Sequence, residues 1–230
     1  MDFNNQHVVV TGGAGALGTA VVEKLIDAGA VCHVPCFHEA EAQRFRLRDY
    51  KSVKLSIVGN LADEVAVDGF YGQIGPLWAS IHIAGGFAFG ALREAEVSTI
   101  RQQIDMNLMS CMLCCRAAIR AMPGGGRIVN VAARAALEWR SGANMVAYAA
   151  SKSAVAAMTV ALSEELAKDG IWVNAVAPSI MDTAANRSSM PKADFTLWPK
   201  VEEVAATIAF LASPDNRVTR GAVVPVYGKS

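Results

Sequence analysis

Short apolar runs alternate along the chain with longer segments of helical periodicity. Runs rich in Val, Ile and Ala predict strands at 7–11, 31–36, 53–58, 78–84, 127–132, 171–177 and 222–227. Segments with a 3.6-residue period predict helices at 16–28, 39–48, 97–122, 145–168 and 201–212. Near-continuous apolar strands that alternate with helices are typical of a parallel sheet covered on both faces. The pattern therefore predicts one doubly wound α/β domain, a three-layer sandwich, over residues 1–230.

The charge balance and the longest uncharged stretch exclude several classes of protein. The 230 residues contain 21 Lys and Arg against 21 Asp and Glu, so the formal net charge is zero. No basic excess is available to neutralise nucleic-acid phosphates or anionic lipid. Residues 69–92 carry no charge, but glycines and Pro76 interrupt them, which favours loop, buried strand and loop over a membrane span. The N-terminus lacks signal-peptide features, so we expect a cytoplasmic protein with no nucleic-acid or membrane partner.

The cysteines are odd in number, and three of them cluster in the sequence. Cys111, Cys114 and Cys115 fall at positions i, i+3 and i+4 of a predicted helix and share one face. Three thiols without a nearby histidine or a second ligand cluster do not predict a zinc site. We therefore expect reduced core cysteines in a reducing compartment and no bound metal.

The first predicted strand runs directly into a glycine-rich turn, TGGAGALG at 11–18, that opens a helix. Glycines at such a turn let the backbone approach a pyrophosphate, whose charge is met by the amides at the helix start. This position favours a Rossmann-type dinucleotide site over a simple strand-to-helix turn. The predicted cofactor residues of the turn are Gly12, Gly15, Ala16, Leu17 and Gly18.

The end of the second predicted strand bears on the choice between NAD and NADP. An Asp or Glu at this place commonly holds the ribose 2′-hydroxyl of NAD. Here Phe37 and His38 follow the strand, and the first carboxylate is Glu39. A 2′-phosphate is therefore tolerated, with His38 or Arg44 as candidate partners, and the sequence favours NADP.

Tyr148 and Lys152 lie four residues apart at the head of a predicted helix, on one face. An ammonium close to a phenol favours the phenolate and lowers the phenol pKa toward the range of a general acid or base. The alternative interpretation of this spacing is an exposed helix pair without a chemical role.

Five sequence blocks in this order resemble the short-chain dehydrogenase/reductase family over essentially the whole chain: TGGAGALG, MNLMS, GGGRIVNVAA, YAASK and NAVAPSIMDT. The resemblance implies NAD(P)-dependent hydride transfer to or from a small organic substrate. It implies that Tyr148 transfers a proton, that Lys152 holds the nicotinamide ribose and tunes the tyrosine, and that Asn107 supports a proton-relay water. The alternative is a non-catalytic NAD(P)-binding sensor or scaffold.

The same resemblance implies further cofactor contacts and an oligomer. Contacts are implied along the adenine, the nicotinamide wall and the nicotinamide loop, at Asn60, Leu61, Ala84, Gly85, Gly86, Pro178, Ile180 and Thr183. Relatives pair through helices, which implies a homodimer or homotetramer, as the apolar composition also favours. An apolar face with Cys111, Met112, Cys114 and Cys115, and the alanine-rich helix at 147–167, are compatible with such a contact between helices.

One departure from the family concerns the serine that normally binds the substrate oxygen. Ala133 ends the block where Asn-x-Ser-Ser is expected, and the family's spacing counted back from Tyr148 reaches Ala135. The loss of one such donor commonly costs about a hundredfold in rate; Ser141 and Asn144 are open as substitutes. Segments 82–87, 130–155 and 178–198 resemble the dihydropteridine reductase subgroup, which implies a quinonoid ring substrate with charge developing on ring nitrogens.

A segment of small, polar and aromatic residues at 182–199 follows the implied nicotinamide loop and predicts a substrate lid. The lid and the loop before Tyr148 supply hydrogen-bonding, charged and stacking groups, so the predicted substrate contacts are Ala133, Trp139, Asn186, Arg187 and Trp198. Phe87 and Phe89 are expected to wall the same cleft. The alternative interpretation of the lid is a surface helix-turn whose Trp198 packs on the core.

Overall fold

The computed structural model describes all residues 1–230 and arranges them around a single seven-stranded sheet. All neighbouring strands are parallel, in the order β3-β2-β1-β4-β5-β6-β7, and the predicted doubly wound sheet is confirmed. The strands are β1 His7–Thr11, β2 Val31–Cys36, β3 Val53–Ile57, β4 Ala79–His82, β5 Gly126–Val131, β6 Ile171–Pro178 and β7 Val223–Val226.

Helices connect the strands. They are α1 Ala16–Asp27, α2 Glu39–Arg44, α3 Glu64–Tyr71, α4 Val97–Ile104, α5 Ser110–Arg120, α6 Arg134–Leu137, α7 Val146–Glu165, α8 Ala184–Ser189 and α9 Val201–Ala212. The predicted helix at 97–122 is confirmed as one uninterrupted helical stretch over 97–120, in which a π-helical turn at Asp105–Met109 separates α4 from α5.

Helix α3 was not predicted, and it takes up the first residues of the stretch expected to be a loop at 69–92. It has only 8 residues and contains Gly69, so its apolar period is short and interrupted. Its start is specified locally, because the Asp63 side chain caps it by accepting from the backbone N–H of Ala66.

The two faces of the sheet carry separate cores, as the alternation of β1 shows. Val8 and Val10 point into the core under α1 and α9, whereas Val9 points into the core under α3 and α5. All three side chains are fully buried. At the sheet edge, β7 tolerates Pro225 because one side of an edge strand has no ladder partner, as predicted.

Helix α7 is long and apolar enough, by length and composition alone, to cross a membrane. In the fold it packs against β5 and β6 and buries the polar side chains of Ser151, Lys152 and Thr159. A core helix of a globular domain passes the same test of length and composition.

The five cysteines are free and buried, as predicted. Cys111, Cys114 and Cys115 pack inside the core of their own chain, so these three side chains do not supply the apolar face that was compatible with a contact between subunits. Of that set, only Met112 is exposed. The homodimer or homotetramer stays a prediction.

Candidate active site

The predicted functional residues gather at the carboxyl edge of the sheet. Strand order reverses between β1 and β4, and a crevice opens there beyond the strand ends, which is the usual ligand position in open α/β sheets. The predicted cofactor segments follow the ends of these strands, at Thr11 of β1, Cys36 of β2, His82 of β4 and Pro178 of β6.

The glycine turn after β1 is held tightly against the loop after β4. A Cβ on Gly12, which has φ +66°, would lie 2.8 Å from the backbone nitrogen of Ala84, and one on Gly18 would overlap the Gly12 carbonyl oxygen. Thr11, which sequence reasoning did not single out, accepts a hydrogen bond from the Ala84 N–H at its Oγ1, at 3.2 Å. A polar residue at the last position of a buried strand is the signal that could have found it.

The start of α1 fits the pyrophosphate of a dinucleotide. The helix begins at Ala16 with no side-chain cap and no acidic residue in its first turn, so its first amides face the crevice without an internal acceptor. Gly15 and Ala16 are exposed, while the Leu17 side chain packs into the core and contributes only backbone.

The edge of the crevice beyond β2 carries the groups expected near a ribose 2′-position. Phe37 and His38 are exposed, and His38 caps α2 by accepting from the Glu41 N–H at Nδ1, at 3.1 Å. The Glu41 carboxylate in turn accepts from the Phe37 N–H at 2.6 Å. Arg44 lines one groove together with Gly15 and Ala16, which brings a cation to the glycine turn.

Asn60 and Leu61 lie beyond β3. The Asn60 Oδ1 accepts from the Ala62 N–H at 2.9 Å, which shapes the turn into α3. Leu61 packs partly against the core, and Asn60 is exposed.

Lys152 and Asn107 meet at the loop after β4. The Lys152 ammonium is buried and donates to the Val131 carbonyl at the end of β5, at 2.8 Å. A Cβ on Gly85 would lie 2.5 Å from the Asn107 Oδ1 and 3.3 Å from the Lys152 Nζ, so the loop backbone touches both side chains. Asn107, within the π-helical turn, accepts from the Gly86 N–H at 3.0 Å and donates to the Gly86 carbonyl at 2.9 Å.

Tyr148 lies one helical turn before Lys152 on α7, and its ring meets the edge of the Phe87 ring at 5.1 Å between centroids. Burial raises the pKa of the Tyr148 phenol to about 12 and lowers the pKa of the Lys152 ammonium to about 8. The expected lowering of the tyrosine pKa is therefore not seen. Desolvation dominates, because the ammonium is directed at the Val131 carbonyl and is itself buried.

No hydroxyl stands at either possible position of the family serine. Ala133 is the residue immediately before α6 and Ala135 lies within it, and both are buried. Ser141 is exposed and donates to the Glu138 carbonyl. Asn144 is exposed and has a positive φ of 57°. Its carbonyl accepts from the Gly90 N–H at 2.7 Å, which ties the loop after β4 to the segment before Tyr148.

The predicted lid at 182–199 closes on itself. The Asp182 N–H donates to the Pro199 carbonyl at 2.9 Å, so the two ends of the segment meet. Inside it, Thr183 caps α8 by accepting from the Asn186 N–H, and the Asn186 amide donates to the Met181 carbonyl at 2.8 Å. The segment is therefore a compact loop, and the side chains of Thr183 and Asn186, predicted to contact cofactor and substrate, form hydrogen bonds within it.

Two residues of this loop that were predicted to contact the substrate, Arg187 and Trp198, instead contact other residues of the loop. Arg187 forms a two-pronged ion pair with Asp182, at 2.5 and 2.7 Å, which neutralises its charge. Trp198 is 9% exposed and packs beside Phe195, which favours the interpretation as a packing residue over the stacking role. Trp139, by contrast, is 77% exposed, and its indole N–H donates to the Ala136 carbonyl. Ile180 is also exposed.

Comparisons with known proteins agree with this arrangement. A family model described as short chain dehydrogenase matches residues 6–194. The (2S)-[(R)-hydroxy(phenyl)methyl]succinyl-CoA dehydrogenase subunit BbsD of Thauera aromatica is 31% identical over 99% of this chain and 97% of its own. The cis-4-hydroxycyclohexanecarboxylate dehydrogenase of Sinomonas cyclohexanicum is 33% identical over 98% and 96%. The crystal structure of gox2181 superposes with a TM-score of 0.91 at 27% identity, covering 99% of this chain and 96% of that one.

Proposed function

The chain belongs to the short chain dehydrogenase family and is an NAD(P)-dependent oxidoreductase, and from this premise we propose that it reduces a conjugated ring substrate with NADPH. The observation that carries the proposal is the meeting of Tyr148, Lys152 and the Gly85 loop at the switch point of the sheet. When bound, the dinucleotide supplies the hydride.

The proton chemistry is assigned to Tyr148. Because burial raises its pKa to about 12, the phenol is protonated across the neutral range and suits a proton donor, which favours reduction over oxidation. Lys152 places its ammonium beside Gly85, where it would hold the nicotinamide ribose. Asn107 acts as a positioning residue, because it fixes the Gly86 backbone through two hydrogen bonds.

The surroundings of Tyr148 support an apolar, conjugated substrate. Phe87 is 59% exposed and contacts the tyrosine ring, and Phe89 is 68% exposed. Trp139 lies in the segment that the hydrogen bond between Gly90 and Asn144 joins to the Phe87 loop. With alanine at both possible positions of the family serine, the site lacks that second hydroxyl for a single developing oxyanion, so a substrate that spreads its charge over a ring fits best.

The proposal is tested by following NADPH oxidation with a panel of quinones, quinonoid pterins, unconjugated ketones and aldehydes. We expect turnover of the conjugated cyclic acceptors at a kcat/KM at least about tenfold above that of unconjugated ketones, since those depend on the missing hydroxyl. A chain that binds NADPH tightly and reduces no acceptor would instead be a dinucleotide-binding sensor or scaffold.

The preference for NADP is assigned to Arg44, the cation in the groove beside the glycine turn. We expect Arg44→Ala to weaken NADPH binding about fivefold, the equivalent of about 1 kcal/mol for a partly exposed ion pair, and to leave NADH binding unchanged. Arg48→Ala is the matched control, because Arg48 pairs with Asp49. Fluorescence titration measures both affinities. A wild-type preference for NADH contradicts the assignment.

A further inference from the structure

A buried cluster of sulfur, nitrogen and oxygen atoms lies behind the candidate active site. The His82 Nδ1 is 3.4 Å from the Cys115 Sγ, 3.9 Å from the Cys111 Sγ and 2.8 Å from the Asn130 Oδ1. The imidazole and the two thiols all lie within 4.8 Å of one another. These four residues, from β4, β5 and α5, are 0 to 4% exposed. We refer to them as the His-Cys cluster.

The His-Cys cluster has more possible donors than its acceptor can satisfy. The Asn130 Oδ1 is approached by the His82 Nδ1, by the Cys111 Sγ at 3.3 Å and by the Cys115 Sγ at 3.5 Å. An amide oxygen has two lone pairs, so three donors cannot all be paired with it. The Asn130 amide is fixed in this orientation, because its Nδ2 donates to the Thr159 Oγ1 at 2.9 Å.

We propose that the His-Cys cluster is a binding site for Zn²⁺, with Cys111, Cys115, His82 and Asn130 as ligands. Ligand atoms about 2.0 to 2.3 Å from zinc lie about 3.3 to 3.8 Å apart in a tetrahedron. The distances from sulfur to nitrogen and from sulfur to oxygen, from 3.3 to 3.9 Å, fall close to this range, and the two sulfur atoms lie within 4.8 Å of each other. The His82 Nδ1 and the Asn130 Oδ1, 2.8 Å apart, have to separate by about half an ångström to reach it.

Charge and the surrounding hydrogen bonds select this metal. Two thiolates neutralise Zn²⁺, whereas Cu⁺ would leave a net negative charge in the core, which is costly. With Nδ1 on the metal, the His82 Nε2–H donates to the Ser80 Oγ, 2.8 Å away, and Ser80 is in turn hydrogen-bonded to the Tyr71 hydroxyl. Such an outer partner is what orients a zinc-bound imidazole.

Binding is a simple exchange of cations. Zn²⁺ enters, the two thiols release two protons, and no electron is transferred, with His82 neutral throughout. The expectation of no zinc site rested on the absence of a nearby histidine. His82 lies 29 residues before Cys111 in the sequence, and the pairing of β4 with β5 beneath α5 brings it to the thiols. A bound metal would join α5 to β4 and β5. Strand β5 carries the Val131 carbonyl that accepts from Lys152, and the π-helical turn with Asn107 directly precedes α5.

The test measures metal in the full-length protein purified from zinc-supplemented cells and dialysed. We expect near-stoichiometric zinc by mass spectrometry in the wild type and in Cys114→Ser. We expect a loss of roughly tenfold or more in the double variant Cys111→Ser, Cys115→Ser. Cys114 is the matched control, because it is buried on the same helix outside the cluster. Dinucleotide binding reports whether each variant is folded.

A second measurement does not depend on the double variant. Wild type and Cys114→Ser, refolded with Co²⁺, are expected to show the thiolate-to-cobalt charge-transfer absorption of a site with two sulfur ligands. The proposal is overturned if the wild type purifies without zinc and binds none on refolding, if that absorption is missing, or if a folded double variant retains its zinc.

Discussion

Tyr148→Phe is expected to lower kcat by about 10² to 10⁴-fold, the range for loss of a general acid. The substitution removes one hydroxyl and nothing else, since phenylalanine fills the same space and keeps the edge contact with Phe87. Steady-state kinetics with NADPH and the best acceptor of the panel measure the loss. Because the hydroxyl is used only as the proton moves, we expect kcat and kcat/KM to fall together and dinucleotide affinity to stay within about twofold.

Tyr50→Phe is the control for this variant, because Tyr50 is exposed and distant in sequence from the site. It should retain wild-type turnover. If Tyr148→Phe turns over as fast as the wild type, Tyr148 does not donate the proton and the mechanism is wrong.

The fold was predictable wherever burial imposed a strong pattern. Strand β1 was predicted correctly because Val8, Val9 and Val10 are all buried and form a continuous apolar run. Val8 and Val10 face the helix layer of α1 and α9, and Val9 faces the layer of α3 and α5. Helix α3 escapes prediction because its start depends on the cap at Asp63 rather than on a long apolar period. The π-helical turn at Asp105–Met109 was not predicted; it carries Asn107, whose two hydrogen bonds with Gly86 form only in the folded chain.

In the candidate site, likewise, some features could be predicted from the sequence and others depend on contacts made only in the folded chain. The glycine turn was predictable because a backbone contact such as that between Gly12 and Ala84 demands glycine at a fixed place after a strand. The hydrogen bonds and ion pairs of the segment at 182–199 could not be predicted, because the sequence does not show that Arg187 pairs with Asp182 inside its own loop. Nor does it show that burial, rather than the ammonium of Lys152, sets the pKa of Tyr148.

Lys152→Met is expected to change activity and stability in opposite directions. Activity should fall at least about a hundredfold, because the variant lacks the cation beside Gly85 that would hold the nicotinamide ribose. Stability should rise at neutral pH. The buried ammonium has its pKa lowered from 10.5 to about 8, which corresponds to a cost of about 3 kcal/mol when it is charged. Loss of its hydrogen bond to Val131 offsets about 1 kcal/mol of that gain.

The pH dependence of this gain identifies its cause. Below about pH 8 both the folded and the unfolded wild type hold the Lys152 proton, so the penalty is complete and constant. Between about pH 8 and 10.5 the folded chain releases the proton while the unfolded chain keeps it, so the wild type gains stability relative to the variant. Urea unfolding from about pH 7 to about pH 10 should therefore show the advantage of Lys152→Met shrinking as pH rises. Lys168→Met, at an exposed lysine just beyond the same helix, should show no such trend. A stability difference that stays constant over this range would mean that packing, not the buried charge, accounts for it.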